Sequence, residues 1–459
     1  MTSPQSVSLP LYSPLSTRSE SVLKDSRLIN GFAEKEQGAT GQETWIYKRP
    51  GLKASTAVTP GAGLGVFNWN NDIFTIFGTI LYKNGVSKGS VNATSSYTFT
   101  SCLGATPKLF LKNLSVAYCY DDANGLVQVT DADYPAATVR GCVYLDGTVY
   151  VMTTGAVIRG SGFNDPTSWD ALNAIIVQIE PDAPRCLSKQ LVYAVAVKSI
   201  ETEVFYDAGN GSGSPLGAVQ GSKVGVGARS ADSVVRCGDD LAWVGTTREG
   251  AVQVMLMAKV HAEAISTPPV ERLLEHVDFS VTYAWAARVS GHRYYVFTSK
   301  GSNLTLAFDL SVGAWYIWTD ANGNYLPIVG STYDSGANPL LQHESNGKLY
   351  TLDLTNFQDD GVTFPVSIYT SNYDGGLRTV KTCSSVDVIA DEINTDVSIS
   401  WSDDDYQTFT TPQSANLNQE RVMVLDGSSF RKRAYRITHS DNTPLRIQAL
   451  NMMASAGAF

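Results

Sequence analysis

The sequence predicts an all-β protein: a β-propeller of six or seven blades, preceded by an extended N-terminal arm and followed by a C-terminal β-sandwich-like domain. Three observations predict it. Short alternating or aromatic-rich runs, each broken by a Gly, Asn or Asp turn, dominate the chain: "DIFTIFGTILYKNG", "CVYLDGTVYVMTTG", "RYYVFTSKGSNLTLAFDL" and "GKLYTLDL" all read as hairpins. The turns before the aromatic strands (Asn71, Asn113, Gly147, Lys198, Asp239, Gly291, Gly347) scatter around a spacing of roughly 45 residues, that of propeller blades. Six or seven blades of that size occupy about 270 to 315 residues and leave a separate C-terminal piece. A tandem of all-β sandwiches is the competing arrangement for the middle of the chain.

In chain order, residues 1–54 are rich in Ser and Pro with weak periodicity, and read as an extended, irregular arm that packs on something else. Residues 55–356 hold the propeller. Within them, "ISTPPVERLLEHV" predicts one helix: Thr267 can cap it, Pro268 and Pro269 suit its first turn, and Val270, Leu273, Leu274 and Val277 share a face. Such a lone amphipathic helix covers a sheet edge or fills a gap between blades. In residues 357–459 the pattern changes to longer strands around acidic turns, the signature of a small sandwich.

Charge and composition narrow the function. The net charge is -10 and no basic run of five occurs, which argues against gripping nucleic acid by counterion release, although the protein could still surround DNA. The N-terminus lacks a basic start followed by an apolar stretch, so no secretory signal is expected, and no run reaches the roughly 18 apolar residues of a membrane span. The six cysteines are far apart without a C-x-x-C pair, as buried thiols of a reducing cytoplasm would be.

The candidate chemistry centres on "SISWSDDDYQTFTTP". Ser402, Asp404, Thr408 and Phe409 fit an Asp-box, the S-x-D-x-G-x-T-W turn of sialidase-like propellers, with Tyr406 at the Gly position. There the Asp and Thr tie down a hairpin, so the reading is a structural turn. A calcium loop needs spaced ligands, whereas Asp403, Asp404 and Asp405 are contiguous. A glycosidase needs two carboxylates across a cleft, and a sialidase adds an arginine cluster and a Tyr nucleophile. Arg431, Arg433 and Arg436 read instead as a solvated or subunit-facing strand. The five histidines have no metal spacing, and His292, at a hairpin turn, reads as packed. "GAGLG" is short of a dinucleotide fingerprint, and the sequons at Asn92 and Asn303 mean little without secretion. No catalytic residue, cofactor or metal is expected.

Several segments, in this order, resemble a family of short-tailed bacteriophage proteins, the tail hub or nozzle subunits called packaged-DNA stabilisation proteins. They are "RLINGFAEKE" with Asn30 and Glu34, "YKRPGL", "IFTIFGTILYKNG", "TEVFYDAGNGSGSPLG", "ISTPPVE", "GHRYYVF", "FDLSVGAWYIW", "SWSDDDYQTF" and "FRKRAYRITHSDNTPLRIQAL". The resemblance spans nearly the whole chain, and the order of the motifs is its specific part. Tyr406 and the polar arm before Asn30 depart from the pattern.

The resemblance implies a non-enzymatic virion protein of the phage tail, assembled in the host cytoplasm as a ring, expected to be a hexamer, beneath the portal and its adaptor. The ring prolongs the DNA channel, retains packaged DNA without sequence-specific binding, and carries fibres, spikes or a needle. Subunit contacts are expected at the arm, at the loop from Asp207 through Gly209 and Gly211 to Gly217, and at the helix with Val270 and Arg272. A carbohydrate-binding or carbohydrate-cleaving propeller is the alternative reading. A secreted lectin-like module is a third, at odds with the N-terminus.

Overall fold

Seven antiparallel blades surround one axis. The computed structural model describes residues 5–18, 25–38 and 41–456. Blades I to IV are separate four-stranded meanders over residues 63–90, 98–128, 143–176 and 184–218; blade V, over 226–264, divides its innermost strand into Val226–Ala228 and Val235–Cys237. Blade VI comprises Thr282–Val289, His292–Ser299, Leu304–Asp309 and Ala314–Ile317. Blade VII takes three strands from 328–353 and its outermost from Gly51–Ala57, which pairs antiparallel with Lys348–Asp353. The ring is therefore closed by a strand from near the N-terminus. Apolar side chains fill the spaces between successive blades: Phe74, Leu109 and Tyr120 between I and II, and Val195, Trp243 and Met255 between IV and V.

The segment expected as an extended arm is instead structural. Besides closing blade VII, it supplies strands to both sheets of a sandwich. One sheet contains the hairpin Gly31–Gly38/Gly41–Lys48, then Arg446–Ala456, Lys381–Ala390 and Met423–Leu425, with Gln5–Pro10 added on Arg446–Ala456. The other is not separate from the propeller. Arg27–Ile29 pairs in parallel with the outer strand of blade VI, and Val366–Tyr369, Ala434–His439, Asp396–Ser402 and Gln413–Asn416 follow, making one sheet of nine strands. The residues that pack between the two sheets (Ile46, Val386, Val397, Ile437, Leu450) belong to the same apolar cluster as Trp285, Tyr294 and Trp318 of the propeller. This shared core explains how Ser- and Pro-rich sequence becomes ordered: Leu9, Leu11, Leu28 and Phe32 of the N-terminal segment are buried in it, and Leu15 in the neighbouring core of blades V and VI.

The helix spans Pro268–Glu275 and buries Val270, Leu273 and Leu274 beside blade V. Thr267 occupies the N-cap position, but its side chain makes no cap hydrogen bond. Ser266 instead donates to Glu271 at 2.8 Å, and Thr17 and Arg272 clasp the helix to the N-terminal segment: Thr17 Oγ1 donates to the Pro269 carbonyl at 2.9 Å, and Arg272 Nη2 to the Thr17 carbonyl at 2.6 Å. Among the described residues, no helix is long and apolar enough to cross a membrane.

Candidate assembly surfaces and the axial channel

The acidic turn closes as an Asp-box does. Asp404 Oδ1 accepts from the Thr408 amide at 2.9 Å and from Ser402 Oγ at 2.8 Å, Asp404 Oδ2 accepts from Thr408 Oγ1 at 2.5 Å, and Ser402 Oγ accepts from the Tyr406 amide at 2.9 Å. These bonds, led by the one from Thr408, lower the Asp404 carboxyl to about 2. Asp405 and Tyr406 both lie in the left-handed region, with φ of 68° and 66°, a conformation that is costly away from Gly. Tyr406 is held there by burial and by donating to the Thr370 carbonyl at 2.6 Å. Phe409 packs edge-on against Tyr369 under the Arg436 guanidinium.

The three contiguous acids diverge to separate partners. Asp403 takes a bidentate pair from Arg433 at 2.7 and 2.8 Å; Asp405 takes one from Arg18 at 2.6 and 2.9 Å, which holds its carboxyl well below the usual range. Arg433 is not the solvated or subunit-facing residue its strand suggests. It is fully buried, also ion-paired with the fully buried Asp426, and lies against Phe430 and Trp401. Arg436 sits over Phe409 and Arg431 donates to the Arg378 carbonyl, so the three arginines do not converge on one point. A second buried clasp, Arg49, binds Asp359, Asn30 and the Thr319 carbonyl, tying the N-terminal segment to propeller and sandwich. His292 is packed as its turn position suggests, bonded to Asp309 at 2.5 Å and edge-on to Phe32. Among the described residues, no group of three or more His, Cys, Asp or Glu is placed to hold a metal ion.

The expected contact residues separate into two kinds. Gly209 and Gly211 are exposed, with open space where a Cβ would stand, and Asp207 shapes the loop by accepting from the Gly209 amide at 2.8 Å. The loop tip lies beside Leu172, which is 77% exposed on a bulge in the outer strand of blade III, and near the half-exposed Tyr206. Val270 is a correction: it is fully buried in the core under the helix and offers no surface. Arg272 is engaged within the chain by Thr17.

The innermost strands surround an axial channel of about 1480 Å³. Spread along strands of about six residues, roughly 20 Å, that volume gives a passage about 10 Å wide, comparable to a single α-helix with side chains. A DNA duplex, whose major groove alone is about 12 Å across, does not fit. One end is crossed by Arg140 of blade III, which donates to Asp232 of blade V at 2.5 Å and to Ser96 before blade II at 2.6 Å. Arg185, Lys189 and Arg236 also line the channel. These cations were not singled out from the sequence, although Arg140, Arg185 and Arg236 recur at about one blade period, the signal that could have found them.

The family profile described as "Bacteriophage P22 Gp10, beta-propeller" matches residues 7–321. No curated protein matches the chain. Among solved structures, the chain is similar to BBS1N in its complex with ARL6DN (10% identity, TM-score 0.42, covering 67% of this chain and 98% of that one). It is also similar to a streptogramin B lyase (9%, 0.36, 76% and 97%) and to a virginiamycin B lyase from Staphylococcus aureus (10%, 0.37, 76% and 99%). At that level of likeness nothing about function follows from them. The family profile covers well over half of the chain, and the seven-bladed architecture agrees with it: the chain belongs to the phage DNA-stabilisation family, the bacteriophage P22 Gp10 β-propeller proteins.

Proposed function

We propose that the protein is a non-enzymatic subunit of a ring-shaped tail nozzle or hub, six copies around one axis beneath the portal and its adaptor. The ring extends the DNA channel, retains packaged DNA and anchors fibres, spikes or a needle. The observation that carries this reading, given the family, is the width of the propeller's own channel. A passage about 10 Å wide cannot conduct a duplex, so a DNA-retaining role needs a lumen made by several copies. A ring of identical chains provides one, because head-to-tail contacts that close by rotation leave a central opening. The net charge of -10 suits a conduit, since phosphate-gripping cations would slow sliding DNA.

Within this reading the Asp207 to Gly217 loop, with Leu172 and Tyr206 beside it, is the candidate ring contact. An exposed apolar side chain next to an adaptable loop is what a protein partner covers. The test is a phage with this gene deleted. Heads that package DNA, leak it and lack the lower tail are the expected result. Filled, fully tailed particles that fail to adsorb would favour the carbohydrate-binding reading, which turnover of fluorogenic glycosides would then examine.

A further inference from the structure

The axial channel carries a charge distribution that the assembly role does not use. Of its four cations, Arg185, Lys189 and Arg236 come from the inner strands of blades IV and V and Arg140 from the segment leading into the inner strand of blade III, and the wall formed by blades VI, VII, I and II has none. Two carboxylates line the same space, and both are engaged. Asp232 pairs with Arg140, and Glu344 is held by Lys300 together with the hydroxyls of Tyr283 and Tyr325. Lys189 Nζ has a backbone carbonyl, that of Tyr144 at 2.8 Å. The exposed Arg185 and Arg236 have neither ion pair nor hydrogen bond among the described residues. Burial lowers the pKa of Arg236, and the field of Asp239 only partly opposes it. In a chain of net charge -10, this is a one-sided concentration of uncompensated positive charge inside a cavity.

The wall has a second property. Within its own blade each innermost strand pairs on one side only, and although the Leu187 amide donates across to the Arg140 carbonyl and the Tyr97 amide to the Leu64 carbonyl, much of the other edge faces the axis. Amides facing a basic cavity add donors for an anion.

We propose that the propeller's axial channel is a binding site for a compact, phosphate-bearing polyanion of about triphosphate size, held by Arg185, Lys189 and Arg236 beside the Arg140–Asp232 link. Phosphate suits the wall because arginine forks bind its oxygens bidentately, and a phosphate chain presents contiguous charge. An extended acidic peptide alternates its side chains between two faces, so only every second carboxylate would meet a wall that is basic on one side. The mutual repulsion of Lys189 and Arg236, which with burial lowers the pKa of Lys189, is relieved by such a ligand.

The experiment uses the full chain at low salt, titrated with inorganic tripolyphosphate by calorimetry and by the shift in Tm, beside an Arg185→Gln/Arg236→Gln variant. Those two side chains have no hydrogen bond or ion pair to lose among the described residues, so the variant should fold with an unchanged or slightly higher Tm without ligand. Expected are saturable binding, a ligand-dependent rise in Tm, at least tenfold weaker binding in the variant, and further weakening in added salt. ATP binding as tightly as tripolyphosphate assigns recognition to the phosphates alone, and tighter ATP binding adds the nucleoside to it; both support the site. No binding at millimolar tripolyphosphate, or equal binding by the variant, overturns it. Equal affinity for an oligoglutamate of the same charge overturns the choice of phosphate.

Discussion

Blades I to V and the sandwich are both antiparallel β-structure, yet they are made in opposite ways. Each of those blades takes all its strands from one short run of chain, joined by tight turns. The sandwich draws its strands from residues 5–48 and 366–456, so that Gln5 lies opposite Ala454 and Ile46 opposite Ile447. Local pairing lets a blade rest mainly on its apolar faces, and even the buried charge cluster of blade IV, Lys198 with Asp182, Glu201 and Glu203, joins residues near one another in sequence. Distant pairing makes the sandwich depend on links between remote segments, such as Arg49 to Asp359, and on Arg433, which ties together its C-terminal strands.

The largest effect expected from this contrast follows Arg433→Ala. Removing the guanidinium leaves Asp426 buried and unpaired and frees Asp403, which should cost about 3–5 kcal/mol. Denaturant unfolding measures it, and hydrogen exchange should show lost protection across both sandwich sheets while blades I to IV stay protected. Loss spread evenly over all blades would break the comparison. Trp243→Ala in blade V is the converse, expected to cost about 3–5 kcal/mol as well, with exchange rising in blades IV and V and the sandwich retained.

The histidines sharpen the contrast through pH. Burial in the sandwich, aided by Lys48, pushes His439 down to about 4. Its folded pKa is below the unfolded value, so stability is intact above about pH 6.5 and falls as the pH drops toward 4, by on the order of 3 kcal/mol. His292 in blade VI has the opposite sign. Burial lowers its pKa, but Asp309 and Glu34 outweigh burial and the net shift is upward. Its contribution is full below about pH 6.5 and is lost as the pH rises through the raised value. Unfolding curves of His439→Gln and His292→Gln against pH should flatten opposite limbs. The smallest effect is expected from Asp404→Ala at the exposed turn: a drop of a few degrees in Tm, and no response to EDTA before or after the change. The wild-type contribution of Asp404 is present above the unfolded carboxyl value and lost as the pH falls through about 2.

Legibility in the sequence followed the same division. The seven marker turns fall one to a blade, so the repeat was readable. Their uneven spacing has a physical cause: Asn71, Gly147, Asp239 and Gly291 join the first and second strands of their blades, whereas Asn113, Lys198 and Gly347 join the second and third, at the opposite end. Tight turns at both ends use the same residue types, so composition cannot tell them apart. The helix was readable because its apolar spacing is local. The 1–54 segment was misread as an arm because, apart from the hairpin over 31–48, the partners of its described strands lie hundreds of positions away, and Arg433 was misread because its strand position does not announce Asp403, 30 residues earlier, or the burial of Asp426. Val270 shows the same limit: one face of a helix cannot serve both the core and a neighbour.

The strand Gly51–Ala57 that closes blade VII has a consequence in time. It is synthesised before any blade, but its partner Lys348–Asp353 follows about 300 residues later; at about 5–20 residues per second that is roughly 15 to 60 s. Throughout that interval six blades can form while the ring stays open and that strand has nothing to pair with. Completion waits on a single late encounter, which makes an unjoined edge the characteristic hazard of a nascent chain and ring closure its slow step.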